Sequence, residues 1–170
     1  AGFALFAIPD IGGSYWLTFF PAMAVLGLGM AISVAPLTTT VMRAAENRYA
    51  GVASGINNAI ARIAGMLAVA LLGAIAIGTF GSALDQRLER LQVSPGIRTV
   101  LKQEVPKLAE AELPAQIDGP QRQALQRALN ESFVRSFRVT ALISAGCALL
   151  SALCAALTIQ SHSVRKRRLP

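Results

Sequence analysis

Three polar side chains recur every four residues inside a long apolar segment of the chain. Ser54, Asn58 and Arg62 stand there among Ala, Ile, Leu, Val and Gly residues, and side chains four residues apart share one face of an α-helix. An arginine at the centre of a membrane-spanning helix costs roughly 2.5–3.5 kcal/mol on insertion, so it needs polar surroundings. The spacing therefore predicts that these residues face a bundle interior or a water-filled cavity, as candidates for lining a substrate pathway.

Arg62 also allows a structural interpretation. It follows the start of its apolar segment, near Ala50, by about a dozen residues, so its guanidinium could snorkel to lipid phosphates at one membrane surface. Pairing with a neighbouring helix is the other structural alternative. Replacing Arg62 with Ala or Lys distinguishes these roles, because a purely structural arginine leaves the activity of the protein unchanged at unchanged expression.

Small residues in this segment and the preceding one predict close helix packing or gating. Gly51 and Gly55 are four residues apart, and Gly65 follows Ala61 by the same interval. Small residues at this spacing let a second helix approach closely. The preceding apolar segment carries Gly27, Gly29 and Pro36. These three residues predict a pliable or kinked helix, since proline removes a backbone donor.

The remaining reactive residues do not form a catalytic or metal site in the sequence. Cys147 and Cys154 are seven residues apart on one predicted helix, about 10 Å along its axis, which is too far for a disulfide between them. His162 stands alone in the C-terminal tail. The sequence contains no nucleophile with a base, no suitable acid pair and no phosphate-binding loop. We therefore expect no enzymatic activity, metal or cofactor.

Long charge-free runs predict an integral membrane protein. Residues 11–42, 63–84 and 139–161 contain no Asp, Glu, Lys or Arg, and each run can supply the roughly 20 apolar residues that a spanning helix needs. The 170-residue chain is 54% hydrophobic and 15% charged, too small to bury three such helices in a core of its own. Its net charge of +7 comes from scattered basic residues, a pattern that does not favour nucleic-acid binding.

In chain order the sequence predicts the end of a truncated transmembrane helix (1–8), a transmembrane helix (16–42), a cytoplasmic loop (43–49), a second transmembrane helix (50–80), an external, periplasmic segment (82–132), a last transmembrane helix (133–159) and a basic cytoplasmic tail (160–170). Basic short loops and tails favour the cytoplasmic side, which sets this orientation. Arg135 and Arg138 run against the rule and are predicted to snorkel to headgroups. Because the chain opens inside apolar sequence without Met, we expect a C-terminal piece of a longer membrane protein.

The external segment has the pattern of short amphipathic helices. Leu84, Leu88 and Leu91 recur at helical spacing, and a further helix is predicted after Asp118-Gly119-Pro120, running toward the last span. Two interpretations stay open for this segment. It forms a cap on the outer ends of the bundle, or it offers a docking surface for a partner such as a periplasmic adaptor protein.

Two longer strings carry a family resemblance: GLGMAISVAPLTTTVM at residues 27–42 and AGVASGINNAIARIAGMLAVALLG at residues 50–73. Together with the external loop and the basic tail, they resemble the C-terminal region of the fourteen-helix drug:proton antiporter family of the major facilitator superfamily. The resemblance covers essentially the whole chain. It implies part of an all-α bundle with three complete spans, one clipped span and a helical external loop.

The resemblance also implies a function, namely export of amphipathic or cationic compounds in exchange for protons by alternating access. It implies a proton gradient, no cofactor, and an inner-membrane location in a bacterium with the C-terminus in the cytoplasm. The family's Asn and Arg in the corresponding helix match Asn58 and Arg62, which become cavity or gating candidates. Proton-coupling carboxylates are expected in helices outside this chain, because the predicted spans contain no Asp or Glu.

Two functions from different classes therefore remain open. The first is the C-terminal portion of a proton-coupled multidrug efflux transporter, whose partners are the lipid bilayer and the remaining helices of the complete protein. The second is a non-transporting membrane remnant or scaffold whose external helices bind a partner protein. Upstream sequence in the same frame distinguishes them, because only the transporter requires about ten further hydrophobic segments.

Overall fold

The computed structural model of the chain describes residues 1–11, 14–44, 47–110, 113, 117 and 119–166. Its helices are α1 (Gly2–Leu5), α2 (Tyr15–Thr18), α3 (Phe20–Ala44), α4 (Ala50–Arg90), α5 (Pro95–Glu104) and α6 (Gly119–Lys166), with 3₁₀ turns at Asn47–Tyr49 and Val105–Glu110. No strand occurs within the described ranges. Helices α4 and α6 form the main packing contact of the chain.

The predicted all-α membrane fold is confirmed. Two described helices, α4 and α6, are long and apolar enough to cross a bilayer. None of the most apolar stretch of α4 is buried within the chain, so lipid or further helices must cover it. The described apolar part of α3, Phe20–Val34, is shorter than these two, and a third complete span there stays a prediction.

Both long helices continue past the predicted membrane limits. Helix α4 ends at Arg90, not near residue 80, and α6 begins at Gly119, well before residue 133. At 1.5 Å per residue, the 41 residues of α4 extend about 60 Å, twice the roughly 30 Å of a hydrocarbon core. The membrane limits themselves therefore stay a prediction, and a substantial part of both helices projects beyond the bilayer.

These end parts of α4 and α6, with α5 between them, form what we call the hairpin module, the described residues within 80–135. Its core consists of the buried residues Phe80, Leu84, Leu88, Leu101, Leu113, Ile117, Leu125, Ala128 and Leu129. Phe80, Leu84 and Leu88 recur at four-residue intervals, so they form one apolar stripe on α4 that packs against α5 and α6. The predicted amphipathic segment is thus a folded unit, with α5 bridging two helices that continue toward the membrane.

The end of α4 is set by a local motif and not by a proline or glycine. Gln92 adopts a left-handed conformation with φ of 50°. The amide of Val93 donates to the carbonyl of Leu88, and the amide of Gln92 donates to that of Glu89. This is the Schellman arrangement, in which the residue after the turn packs back on the last turn of the helix. Val93 accordingly contacts the module core, so the turn both ends α4 and directs the chain toward α5.

Ion pairs join α5 to the last turns of α4. Arg98 donates to Glu89 at 2.7 Å and to Asp85 at 3.3 Å, and Lys102 lies 3.3 Å from the second oxygen of Asp85. The hydrogen bond with Glu89, followed by that with Asp85, raises the pKa of the Arg98 guanidinium above its ordinary value. Exposed pairs of this kind contribute little stability, so the apolar core holds the module and the pairs orient α5.

Arg138 joins the N-terminal segment to α6. Its guanidinium donates to the carbonyl of Pro9 at 3.0 Å and lies 3.6 Å from the carboxylate of Asp10. Phe6 packs edge-on against Phe137 one residue earlier. Within the chain, the end of the N-terminal helical segment thus supplies Arg138 with a carbonyl and a carboxylate, and its snorkelling to headgroups stays a prediction. Arg135, by contrast, lines a groove that is described below.

Helix α1 packs closely on α3. A Cβ added at Gly2 would lie 2.8 Å from Cβ of Leu26, a distance that real side chains do not tolerate. Gly2 therefore permits an approach of the two helices that no other residue allows. This contact positions the N-terminal segment against α3 at one end, while Arg138 holds it against α6 at the other.

A buried hydroxyl links α6 to α4 across the helix pair. The Ser136 hydroxyl donates to the carbonyl of Ala76 at 2.7 Å. We predict that Ser136→Ala lowers the free energy of unfolding by about 0.6 kcal/mol, and by at most about 1.7 kcal/mol, because hydrogen bonds between membrane helices contribute this much. Thermal unfolding of the detergent-solubilised protein measures the change.

Ser144→Ala is the matched control for this substitution. The Ser144 hydroxyl donates to the carbonyl of Thr140 at 2.9 Å, within its own helix. Its removal should therefore leave the packing of α4 on α6 unchanged. Equal losses of stability for the two variants would show that the bond between Ser136 and Ala76 adds nothing specific to the helix pair.

Candidate functional site

The predicted polar stripe lies in the first half of α4. Ser54 is half-buried, while Asn58 and Arg62 are exposed within this chain. Among the described residues Arg62 has no hydrogen-bond or ion-pair partner, and nothing in the described part of the chain neutralises its charge. A charge in the first half of an apolar helix requires water, lipid phosphate or a further protein group around it.

The glycines of α4 lie on the same face as the polar stripe. At about 100° per residue, an arc of about 100° on residues 51–67 of α4 holds six side chains. They are Gly51, Ser54, Gly55, Asn58, Arg62 and Gly65. A Cβ added at any of the three glycines would meet no atom within 4 Å. Apart from half-buried Ser54, this surface, which we call the small-polar face, is therefore uncovered by the described part of the chain.

Another side of α4 carries large apolar residues. By the same arithmetic, an arc of about 80° whose centre lies about 150° around the helix from that of the small-polar face contains Val52, Ile56, Ile60, Ile63 and Leu67. Each of these side chains is more than half exposed. Helix α4 thus has two contrasting faces within the apolar region, one suited to hydrocarbon and the other to a polar cavity or a closely packed helix.

The gating candidates of α3 lie within one helix. Gly27 and Gly29 have nothing within 4 Å of an added Cβ, and α3 continues through Pro36 as a single element. The Ser33 hydroxyl donates to the carbonyl of Gly29 at 2.7 Å, a bond within the helix that is known to favour bending. Helix α3 and the small-polar face are not joined by any described hydrogen bond.

The described residues contain no group of three His, Cys, Asp or Glu side chains that could hold a metal ion. Cys147 and Cys154 are free and exposed on α6. The structure therefore leaves the small-polar face, which carries a charged group inside an apolar helix, as the candidate site. The basic tail from residue 167 onward lies outside the described residues.

Comparison with known proteins finds two related sequences. No family model matches the chain, and no solved structure matches it. Over 128 residues, 72% of this chain, it is 30% identical to Multidrug resistance protein Stp of Mycobacterium tuberculosis strain CDC 1551 / Oshkosh, and the figures for strain ATCC 25618 / H37Rv are the same. The match covers 24% of each relative. The chain is thus an all-α membrane chain, similar in sequence to a multidrug resistance protein of which it spans about a quarter.

Proposed function

We propose that this chain forms the C-terminal portion of a proton-coupled multidrug efflux transporter of the major facilitator superfamily. The complete protein exchanges amphipathic or cationic compounds for protons by alternating access across a bacterial inner membrane, with the C-terminus in the cytoplasm. The sequence similarity to a multidrug resistance protein supports this function. The observation that carries it is the small-polar face of α4, which sets an unpaired arginine among glycines on an uncovered side of an apolar helix.

In this proposal the small-polar face forms one wall of the substrate cavity. Arg62 supplies a fixed positive charge with five donors, and Asn58 and Ser54 supply neutral donors and acceptors. The glycines let a facing helix approach and separate without side chains in the way, as rocking between two helical halves requires. The large apolar residues on the other side face lipid or buried helices.

Proton coupling then depends on carboxylates in the remaining helices of the transporter. Residues 50–84 and 139–161 contain no Asp or Glu, so these parts of α4 and α6 supply no proton carrier. A guanidinium near such a carboxylate favours its ionised form. Arg62 would in this way promote release of the proton from that carboxylate in one half of the transport cycle. No cofactor is required beyond the proton gradient.

The alternative function is a non-transporting scaffold, and the core of the hairpin module favours it specifically. Buried residues such as Leu88, Leu101 and Leu125 give this module a packed interior outside the apolar stretches, so it offers a stable surface for a periplasmic adaptor protein. A scaffold needs no polar cavity. It therefore predicts that substitutions on the small-polar face leave the protein's activity unchanged.

Two adjacent asparagines give a matched test of the proposed cavity. Asn58 lies on the small-polar face, and Asn57 lies about 100° around the same helix. We predict that Asn58→Ala lowers drug export by the complete protein several-fold, whereas Asn57→Ala leaves it close to wild type. Export of a fluorescent amphipathic cation from intact cells, at equal membrane abundance of the variants, measures the difference. Equal export by the two variants would contradict the cavity assignment.

A further inference from the structure

We infer that a groove between α4 and α6 in the hairpin module binds the phosphate of an anionic lipid headgroup. The groove has a volume of ≈ 410 Å³, and its lining includes Gln86, Arg87, Arg90, Arg127, Glu131 and Arg135. Four of these residues are arginines, and a single carboxylate faces them. The groove is thus a strongly basic surface, and it is separate from the small-polar face near the other end of α4.

Most of the positive charge in the groove is not neutralised. The Arg87 guanidinium donates to Glu131 at 3.0 Å and to the Ser132 hydroxyl at 3.4 Å, so that carboxylate is already engaged. Arg90, Arg127 and Arg135 are exposed and have no hydrogen-bond or ion-pair partner among the described residues. Arg98, elsewhere in the module, is paired with the carboxylates of Glu89 and Asp85. The three free guanidiniums therefore point to an anionic ligand.

The groove begins at the depth of lipid headgroups. With the membrane limits predicted at residues 80 and 133, Arg87 lies about 10 Å past the limit on α4, and Arg135 lies about 3 Å inside the limit on α6, from where its guanidinium can snorkel outward. The headgroup layer on each side of a bilayer is about 5–7 Å thick. The two arginines therefore bracket the predicted headgroup layer, and Arg90 and Arg127 continue the basic wall outward.

A second cavity adjoins the groove on the side of the apolar part of the helix pair. It has a volume of ≈ 250 Å³, and Gly78, Thr79, Ser82 and Ala83 line it together with Gln86 and Arg135, which it shares with the first cavity. Gly78 and Thr79 lie inside the charge-free run of α4. The groove and the second cavity together fit an amphiphile. Its phosphate would bind the arginines, and its acyl chain would lie along the contact between α4 and α6.

Guanidinium chemistry explains why arginines suit this site. Arginine binds phosphate through two parallel N–H donors, whereas lysine binds it as a point charge. One wall of the groove belongs to α4 and carries Arg90, and the other belongs to α6 and carries Arg127 and Arg135. A phosphate bound near Arg135 therefore lies between the two helices. The lipid would therefore brace the two helices against each other at the membrane surface.

The test measures lipid retained by the complete protein purified in detergent with phosphatidylglycerol or phosphatidylcholine, by native mass spectrometry. The wild type should retain phosphatidylglycerol in preference. The triple variant Arg90→Gln, Arg127→Gln and Arg135→Gln should lose about tenfold or more of this retention, since each basic residue near the surface contributes to anionic-lipid binding. The corresponding triple substitution to Lys should give intermediate retention.

The matched control removes three basic residues of the same module that lie outside the groove and are paired with carboxylates, namely Arg98→Gln, Lys102→Gln and Lys107→Gln. It loses the same charge and should change retention by no more than about twofold. Equal losses in the two triple variants would overturn the site in favour of general attraction. Unchanged retention in the groove variant would overturn the lipid assignment and leave an acidic partner segment as the occupant.

Inorganic phosphate distinguishes a lipid site from a site for the free anion. Because the acyl chain adds contacts along the seam, excess inorganic phosphate should displace little phosphatidylglycerol from the wild-type protein. Full displacement by inorganic phosphate would overturn the assignment of a lipid ligand. Thermal unfolding midpoints of the variants establish that the groove, and not the fold, has changed.

Discussion

Arg62→Ala in the complete transporter is expected to lower drug export at least about tenfold at unchanged abundance in the membrane. The loss of a single interaction of about 1.4 kcal/mol in the rate-limiting step changes a rate tenfold. Arg62 supplies the charge that acts, in the proposed function, on a proton-coupling carboxylate and not on the cationic substrate. Removal of the arginine also removes roughly 2.5–3.5 kcal/mol of insertion cost. Insertion should therefore not suffer. Export of a fluorescent cation by energised cells, normalised to immunoblot intensity, measures the effect.

Arg48→Ala is the control for the loss of a positive charge. Arg48 lies in the 3₁₀ turn before α4, exposed and placed over the Tyr49 ring at 5.2 Å, outside the apolar stretch. Its replacement should leave export near the wild-type value. If Arg62→Ala behaved like Arg48→Ala, the arginine would serve only to anchor α4 at the membrane surface, and its proposed place in the pathway would be wrong.

Arg62→Lys separates charge from hydrogen-bond geometry. Lysine keeps the positive charge but not the planar fork of five donors. Export retained by this variant would assign the role to charge, as promotion of proton release requires. Export lost in both variants would assign it to hydrogen bonds that the guanidinium makes to a substrate or a facing helix.

Leu101→Ala is expected to open the hairpin module. Leu101 is fully buried in the module core, and truncation of a buried leucine to alanine costs about 2–5 kcal/mol. Cleavage through local opening follows the equilibrium population of the open form, and about 2 kcal/mol corresponds to about 30-fold. Trypsin should therefore cut the purified variant within residues 87–107 about 30-fold faster or more, measured by the loss of intact protein on gels.

The neighbouring residue provides the control for this experiment. Val100 is 44% exposed on the same helix, and surface substitutions commonly change stability by less than about 0.5 kcal/mol. Val100→Ala should leave the cleavage rate within about threefold of the wild type. Equal rates for Leu101→Ala and the wild type would mean that the module does not depend on its apolar core.

The membrane class and the helical segments could be predicted from charge and spacing alone. The charge-free runs 63–84 and 139–161 lie within α4 and α6, because a helix in lipid must satisfy its own backbone groups. The continuation of α4 to Arg90 depends instead on packing in the core of the hairpin module. Leu84 and Leu88 pack in the module core, whereas Leu91, which shares their pattern, is 44% exposed because it is the last residue before the Gln92 turn.

The small-polar face could be predicted in part. The four-residue spacing of Ser54, Asn58 and Arg62 is visible in the sequence, but its coincidence with the glycines requires one continuous helix over residues 51–67. The basic groove could not be predicted, because Arg87 and Glu131 are 44 residues apart and meet only through the pairing of α4 with α6. The spacing of Arg127, Glu131 and Arg135 at four-residue intervals was the available signal.

The most direct test of the proposed function is coupled proton movement in everted membrane vesicles that contain the complete protein. A pH-sensitive dye follows the acidified interior after respiration is started, and an amphipathic cation is then added. We predict that the wild-type protein dissipates part of the pH gradient on addition of the cation, because each molecule transported releases protons from the vesicle, and that Arg62→Ala shows at most about a tenth of this response. An unchanged pH gradient with the wild-type protein, across a panel of amphipathic cations, would contradict proton-coupled efflux and favour the non-transporting scaffold.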